Sequence, residues 1–194
     1  MENNRAEKVL RLDDLRGRVE KFVEKAYLPE ADSRQVVLYG GNPEAYIMVI
    51  ARDLGRSELE ENTPLIGKAG QLLRDGCKKI GFNPELDFIM CNTVPLKPKD
   101  NKAFSALTRS KFIWILNDLF GIVLPTTIIT LGYEATTVIF PECLRIKPYV
   151  GLLFEKNGVK IFPNYHPSYI SRQGGLDTSE GQDFLNVFLQ VKNL

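Results

Sequence analysis

Ala51-Arg52-Asp53-Leu54-Gly55 and, a few residues later, Asn62-Thr63-Pro64-Leu65-Ile66-Gly67-Lys68-Ala69-Gly70 decide how this chain is read. An apolar run, Tyr46-Ile47-Met48-Val49-Ile50, leads into the first stretch and reads as a buried strand. The chain turns at Gly55, crosses an acidic loop (Glu58, Glu60, Glu61) and re-enters regular structure at Pro64. Ala69, Leu72, Leu73, Cys77 and Ile80 then recur at helical spacing, with Gly81 as a natural stop. The carboxyl end of the strand thus delivers Asp53 to the rim where open α/β sheets hold their ligands. The Gly67-x-x-Gly70 spacing lets a backbone approach closely and offers N–H groups to an anion at a helix start.

The same alternation continues outward. Residues 1–27 read as one amphipathic helix, with Leu12, Leu15, Val19, Phe22, Val23 and Ala26 on its apolar face and Pro29 beyond its end. Val36 to Tyr39 is a short β-like run before the turn Gly40-Gly41-Asn42-Pro43. A second strand, Asp87 to Cys91, runs into Asn92-Thr93-Val94 and a basic, proline-punctuated loop from Pro95 to Lys102. A helix is predicted over 105–120, a strand over Thr127 to Leu131 closed by Gly132, and a short helix from Tyr133 to Phe140. Tyr149 to Phe154 and Val159 to Phe162 read as β structure around an Asn157-Gly158 turn. The last strand empties into Pro163-Asn164-Tyr165-His166-Pro167-Ser168-Tyr169-Ile170-Ser171-Arg172. Ser179-x-x-Gln182 has the form of a capping box for a final helix. Strands alternating with helices predict an α/β fold: three layers, αβα, around a central, mostly parallel four-stranded sheet, in one domain over 1–194.

Composition bounds the function. The chain has 194 residues, 44% hydrophobic and 25% charged, with a net charge of +1. No global field draws it to nucleic acid, so any such binding must come from a local patch. No apolar run has membrane length and no signal pattern opens the sequence, so a cytoplasmic, membrane-free setting is expected. Three widely spaced cysteines and a single histidine, His166, make a structural zinc site a poor fit and free thiols the natural reading.

Asp53, Asn92 and His166 all follow predicted strands, and in a parallel sheet all carboxyl ends face one rim. Three residues far apart in sequence are therefore expected to meet in one pocket. Each also has a plain structural reading: Asp53 as a turn carboxylate, Asn92 as a strand-end turn former, His166 as a capped loop histidine.

These residues resemble the uracil-DNA glycosylase superfamily, and its family 4 branch above all. That branch reads Gly-Glu-Ala-Pro-Gly, then Pro-Phe-Val-Gly-x-Ala-Gly-x-Leu-Leu. Here the corresponding residues are Ala51 to Gly55 and Pro64-Leu65-Ile66-Gly67-Lys68-Ala69-Gly70-Gln71-Leu72-Leu73. The family's Asn-x-Val with its basic loop matches Asn92-Thr93-Val94 and Pro95 to Lys102, its Leu-Gly matches Leu131-Gly132, and its His-Pro-Ser-Tyr run matches His166 to Arg172. The similarity spans roughly residues 25–190, and the two longer motifs together make it specific.

The resemblance implies cleavage of the N-glycosidic bond of uracil, or another deaminated base, in single- or double-stranded DNA during base-excision repair. It implies Asp53 and His166 as catalytic residues, the first below the sugar and the second aimed at the departing base. It implies Asn92 as the reader of uracil, with Leu65, Arg52 and Gly67 beside it, and Lys68, Lys99, Pro167, Ser168 and Arg172 as contacts to DNA. Pro167 to Arg172 is expected to press as a loop into the space the base leaves, and Lys97 and Lys102 are expected to add positive charge at the rim. The departures carry their own expectations. Family 4 members hold an iron–sulfur cluster on four cysteines, and around Lys25 to Leu28 there are none. The chain is therefore expected to need no cofactor and no metal, and to act as a monomer. Arg52 replaces the family's Glu, and Leu65 replaces its stacking aromatic. Those two changes keep a second reading open, a non-catalytic DNA-binding or replication accessory protein on the same fold, and a third, an enzyme for a different damaged base.

Overall fold

The computed structural model describes residues 2–194, with side chains from residue 5 onward; Met1, included in the helix read over 1–27, lies outside the described residues. The strands are β1 (Tyr39–Gly41), β2 (Ile47–Ala51), β3 (Phe88–Asn92), β4 (Thr127–Leu131), β5 (Phe154–Lys156) and β6 (Val159–Asn164). They form one sheet in the order β1-β3-β2-β4-β6-β5. The central four, β3-β2-β4-β6, are parallel, and β1 and β5 add a short antiparallel strand at each edge. The expected four-stranded parallel sheet is thus present and carries two edge strands more. Each edge strand has only three residues, too few for a periodic signal.

Every central strand is apolar on both faces, as a parallel sheet covered on both sides requires. Side chains alternate strictly. Met48 and Ile50 of β2, with Ile89 and Cys91 of β3, enter one core; Val49 and Ala51, with Phe88 and Met90, enter the other. The first core is closed by α1 (Glu2–Lys25), α6 (Ile113–Val123) and α7 (Tyr133–Ile139), where Leu12, Leu15 and Val19 meet Ile115, Leu116 and Ala135. The second is closed by α3 (Lys68–Lys79), α8 (Pro167–Arg172) and α9 (Ser179–Lys192), through Leu73, Cys77, Ile170, Phe184 and Phe188. Short helices α2 (Arg56–Glu60), α4 (Pro84–Asp87) and α5 (Ala106–Ser110) join these layers.

Several expectations shift locally. Val36 to Leu38 does not pair as a strand, because Val37 donates its N–H to the Pro95 carbonyl instead and the ladder starts at Tyr39. The helix read over 105–120 is two helices. Lys111 and Phe112 donate to Thr108 and Arg109, three residues back, which tightens the end of α5 and breaks the run before Ile113. The last helix is capped by Thr178, whose hydroxyl accepts from the Gly181 N–H, so Ser179 is the first helical residue and not the cap.

The connections fix where a ligand can sit. From β2 the chain leaves through α3 on one face to reach β3; from β4 it leaves through α7 on the opposite face to reach β5 and β6. The carboxyl ends of β2 and β4, which are neighbours, therefore diverge, and a crevice opens between their loops.

Candidate active site

Arg52 and Asp53 leave the end of β2 at this crevice. The backbone there is zipped to the end of β3 beyond the ladder. Thr93 donates its N–H to the Ala51 carbonyl at 2.9 Å and its hydroxyl to the Arg52 carbonyl at 2.5 Å. Ala51 pairs with Asn92 in the sheet, so Asp53 stands just past the level of Asn92. Its side chain is only 7% exposed, and the Arg52 Nε lies 2.7 Å from its Oδ2 as an ion pair without aligned hydrogen-bond geometry. Burial pushes the Asp53 carboxyl up to about 6; the Arg52 charge works against this without cancelling it.

Asn92 is buried, and neither its Nδ2 nor its Oδ1 has a hydrogen-bond partner among the described residues. An amide left in this way at the end of a central strand carries an unmet cost of about 1–3 kcal/mol for each polar group. It is the kind of defect a fold retains for a ligand.

His166 follows β6 and is the N-cap of α8. Its Nδ1 accepts the Ser168 N–H at 3.1 Å and lies 2.7 Å from the Ser168 hydroxyl. A ring nitrogen that accepts a backbone N–H carries no proton, so the neutral ring bears its hydrogen on Nε2. Burial pushes the imidazole down to about 4, and the charges of Arg52 and Arg172 act in the same direction. His166 is therefore a neutral donor at pH 7. Asn164 sets the strand end that precedes it: its Nδ2 donates to the Phe184 carbonyl at 3.0 Å and its Oδ1 accepts from the Tyr165 N–H at 2.8 Å.

Leu65 lies at the mouth of the crevice, 5% exposed, with its backbone at φ +55°. The buried Arg74 donates Nε–H to the Leu65 carbonyl at 2.9 Å and pairs with Glu85. A Cβ on Gly70 would collide with that same carbonyl. Glycine at 70 is thus required by the loop, and not by a ligand. At Gly67 the structure corrects the expectation of an open anion site. Its N–H donates to the Glu58 Oε1 at 2.9 Å, and Glu58 packs so closely on Gly55 and Gly67 that a Cβ at either would meet it. The α3 start carries a carboxylate from the chain itself.

Two clefts meet at this point. One, of about 600 Å³, runs past Asp53, Leu65, Gly67, Lys68 and Ser171. The other, of about 400 Å³, opens beside Gly132 and Tyr133. Arg52, His166, Ser168 and Arg172 line both. Asp53, His166, Leu65, Arg52, Gly67, Lys68, Ser168 and Arg172 are thus brought together, while Asn92 is buried and lines neither cleft. Lys99 sits on the exposed loop whose Asn101 carbonyl accepts from Arg52 at 3.4 Å. Pro167 is buried as the first residue of α8. The expected inserting loop over Pro167 to Arg172 is therefore a helix, which a proline at the first position favours. Lys97 is turned inward on Asp32, 2.5 Å away, and adds no charge to the rim. Arg74 escapes sequence reading, and Glu58, Thr93 and Asn164 are legible there only as members of a loop, a motif and a strand end, since each contributes by holding backbone and has no spacing signal.

No cysteine arrangement here suits an iron–sulfur cluster. Leu28 is buried in the core where the resemblance places the first cysteine pair, and Cys77, Cys91 and Cys143 are each buried on separate elements. Burial pushes the Cys91 thiol up to about 12. Among the described residues, no group of three or more His, Cys, Asp or Glu side chains is placed to hold a metal ion.

Fold and site together define a three-layer α/β protein that presents a buried carboxylate, an unpartnered amide and a neutral imidazole at the carboxyl ends of its parallel strands. The chain belongs to the uracil-DNA glycosylase superfamily, whose family model, described as "Uracil DNA glycosylase superfamily", matches residues 39–190. It is 32% identical over 138 residues to a type-4 uracil-DNA glycosylase of Sulfurisphaera tokodaii, a match covering 66% of this chain and 62% of that protein. A type-4 uracil-DNA glycosylase of Thermotoga maritima is 27% identical over 139 residues, covering 71% and 72%. A DNA polymerase of Bacillus phage SP01 is 23% identical over 138 residues, which are 69% of this chain and 14% of the polymerase. No described helix is long and apolar enough to cross a membrane.

Proposed function

We propose that the protein is a DNA glycosylase that hydrolyses the N-glycosidic bond of uracil in DNA, as a monomer in base-excision repair. The observation that carries this reading is the Asn92 amide, buried with donor and acceptor both unpaired at the end of β3. Uracil presents an acceptor at O4 and a donor at N3–H, and one side-chain amide meets both. Cytosine reverses the pattern. The base reaches Asn92 only after leaving the stack, through the crevice that Arg52 lines.

As the bond breaks, positive charge grows on the sugar and negative charge on the base. Asp53, about 6 and so ionised at neutral pH, stabilises the sugar cation. It also takes a proton from the attacking water, whose oxygen bonds to C1′ as the bond to N1 breaks. His166 donates Nε2–H to uracil O2, where the leaving anion's charge collects. A fixed donor of this kind contributes on the order of 10²–10³ in rate. Leu65 lies on the face of the base, and Lys68, Lys99, Ser168 and Arg172 hold the strand.

The test is cleavage of oligonucleotides carrying uracil, hypoxanthine or xanthine, followed by alkaline scission of abasic sites. Wild type should cut uracil-DNA. Asn92→Asp should lose uracil cleavage, because an ionised carboxylate offers O4 no donor. One observation favours a second reading, that of an accessory protein: Arg52 neutralises Asp53 and stands across the crevice. Binding to DNA with no cleavage of any of the three bases would establish that reading instead.

A further inference from the structure

The cleft beside Gly132 is not needed to hold the base or to break its bond, yet it shares Arg52, His166, Ser168 and Arg172 with the cleft that does. We propose that it takes the nucleotide next to the extruded base, held as an unpaired residue of a single strand. This inference rests on the glycosylase reading and gives that site its substrate form.

Its lining has the two components that unpaired nucleic acid requires. The first is cationic. Arg145, Lys147 and Arg172 project into it, and none has an ion-pair or side-chain hydrogen-bond partner among the described residues. Other cations of this chain do find partners, as Lys97 does with Asp32 and Arg74 with Glu85. The second component is aromatic. Tyr133 is 40% exposed at the end of β4, and Tyr169 packs on Tyr165 with ring centroids 5.1 Å apart. Phosphate contacts beside aromatic faces are the signature of a single-strand groove, because every base has a face to stack and only an unpaired base can present it. Glu134 is the one carboxylate of the lining. It repels phosphate locally and accepts a hydrogen bond from an exocyclic amino group.

The volume, about 400 Å³, falls in the range of sites that enclose small ligands, about 300–1,000 Å³. A base pair with both its backbones does not fit such a space. The wall is built and held. Cys143 Sγ contacts the Arg145 carbonyl at 3.4 Å, Tyr149 donates its N–H to the Ile146 carbonyl at 2.9 Å, and the Tyr149 ring stacks on Phe154 with centroids 5.8 Å apart. Arg145 and Lys147 are thus presented by a fixed turn, which reduces the ordering cost of binding.

The test uses labelled oligodeoxynucleotides carrying 2′-fluoro-deoxyuridine, which resists cleavage, in single- and double-stranded form. Affinities are read by fluorescence anisotropy against salt concentration. Wild type should prefer the single strand. Arg145→Ala with Lys147→Ala should weaken single-strand binding about tenfold or more, and lower the salt slope by about 1.4, at roughly 0.7 for each phosphate that is no longer neutralised. Removing nucleotides stepwise from each end should abolish that difference at one step on one side only. Tyr133→Ala should lose about 5- to 150-fold, and Tyr133→Phe should retain binding. Melting temperatures check that each variant is folded. Double-variant affinity within twofold of wild type with an unchanged salt slope overturns the proposal, even if uracil is cleaved. So does an equal loss on single strand and duplex. If wild type cleaves no damaged base but binds single strands with this dependence on Arg145 and Lys147, the cleft stands and the glycosylase reading falls.

Discussion

A Cβ placed on Gly132 would lie 3.0 Å from the Cβ of His166. The end of β4 and the start of α8 therefore meet where a side chain fits only if His166 gives way by a few tenths of an ångström. Gly132 also has φ +88°, a conformation other residues adopt only under strain. Gly132→Ala faces both penalties and must move His166 to relieve one of them. We expect a destabilisation of about 1–3 kcal/mol and, because a small misplacement of a reacting group is so costly, a loss in turnover of about 10²-fold. Single-turnover cleavage and denaturant unfolding measure the two. An unchanged rate in a folded variant would take His166 out of the chemistry.

The pH dependence should separate the two groups proposed as catalytic. Burial pushes Asp53 up to about 6, whereas His166 is pushed down to about 4. The acid limb of kcat/KM should therefore fall through about pH 6 and belong to Asp53, and the residual activity of Asp53→Asn should lack it. Stability follows the same shifts with opposite signs. The folded protein keeps the Asp53 proton where the unfolded chain has lost it, so this group's contribution declines as pH rises through about 6. His166 behaves inversely, since its contribution declines as pH falls from its ordinary value of 6.5 toward 4. Asp53→Asn should thus be more stable than wild type at neutral pH, by about 1–3 kcal/mol, with the gain gone near pH 4. Urea unfolding across pH tests this.

Leu65→Phe should raise activity on uracil-DNA. Leucine gives the base an apolar contact without a flat π surface, and base–aromatic stacking contributes roughly 1–3 kcal/mol. Overpacking costs a similar amount, so the melting temperature of the variant is read beside its KM. A stable variant with no gain would count against a base lying on this side chain.

Chelators should leave activity and melting temperature unchanged, and the pure protein should be colourless. A broad absorbance near 400 nm with stoichiometric iron would overturn this. The segment after α1 is held to the basic loop by other means. Glu30 accepts from the Ser105 N–H at 2.6 Å, the Ser105 hydroxyl at 2.8 Å and the Thr108 hydroxyl at 2.5 Å, and the loop returns the Lys97–Asp32 pair. Glu30→Ala removes three hydrogen bonds, two of them exposed to solvent, and should destabilise by about 0.5–1.5 kcal/mol; Glu30→Gln should recover part of it.

The rim is legible in the sequence because buried parallel strands are continuous apolar runs, and the residue that ends each run stands out. Asp53, Asn92 and His166 stand out in that way. Hydrophobic pattern reports which face is buried and not how the backbone is held, so it passes over the break before Ile113 and sets the edge strands too early, over Val36 to Tyr39 and Tyr149 to Phe154, where the ladders run over Tyr39–Gly41 and Phe154–Lys156. It also passes over the destination of charges. Lys97 reads as a rim cation and is buried on Asp32, 65 residues away in sequence, and Glu58 reads as part of an acidic loop yet accepts the Gly67 N–H. Asn92 is expected in the same cleft as Asp53, whereas it is buried and lines no cleft there, and Asp53 is paired with its own neighbour Arg52, a relation that no spacing announces.

The loop at the mouth of the crevice is gripped through the carbonyl of Leu65, by Arg74 from below and by the bare Cα of Gly70. None of that grip involves the Leu65 side chain. The path of the chain is therefore set without that side chain: selection can exchange the residue proposed to face the base wherever its neighbours in the second core leave room. The backbone angle sets the alphabet. At φ +55°, valine, isoleucine and threonine are poorly tolerated. Variation at this wall is confined to residues not branched at Cβ, and the wall of the proposed base site can be retuned through a narrow set of single steps.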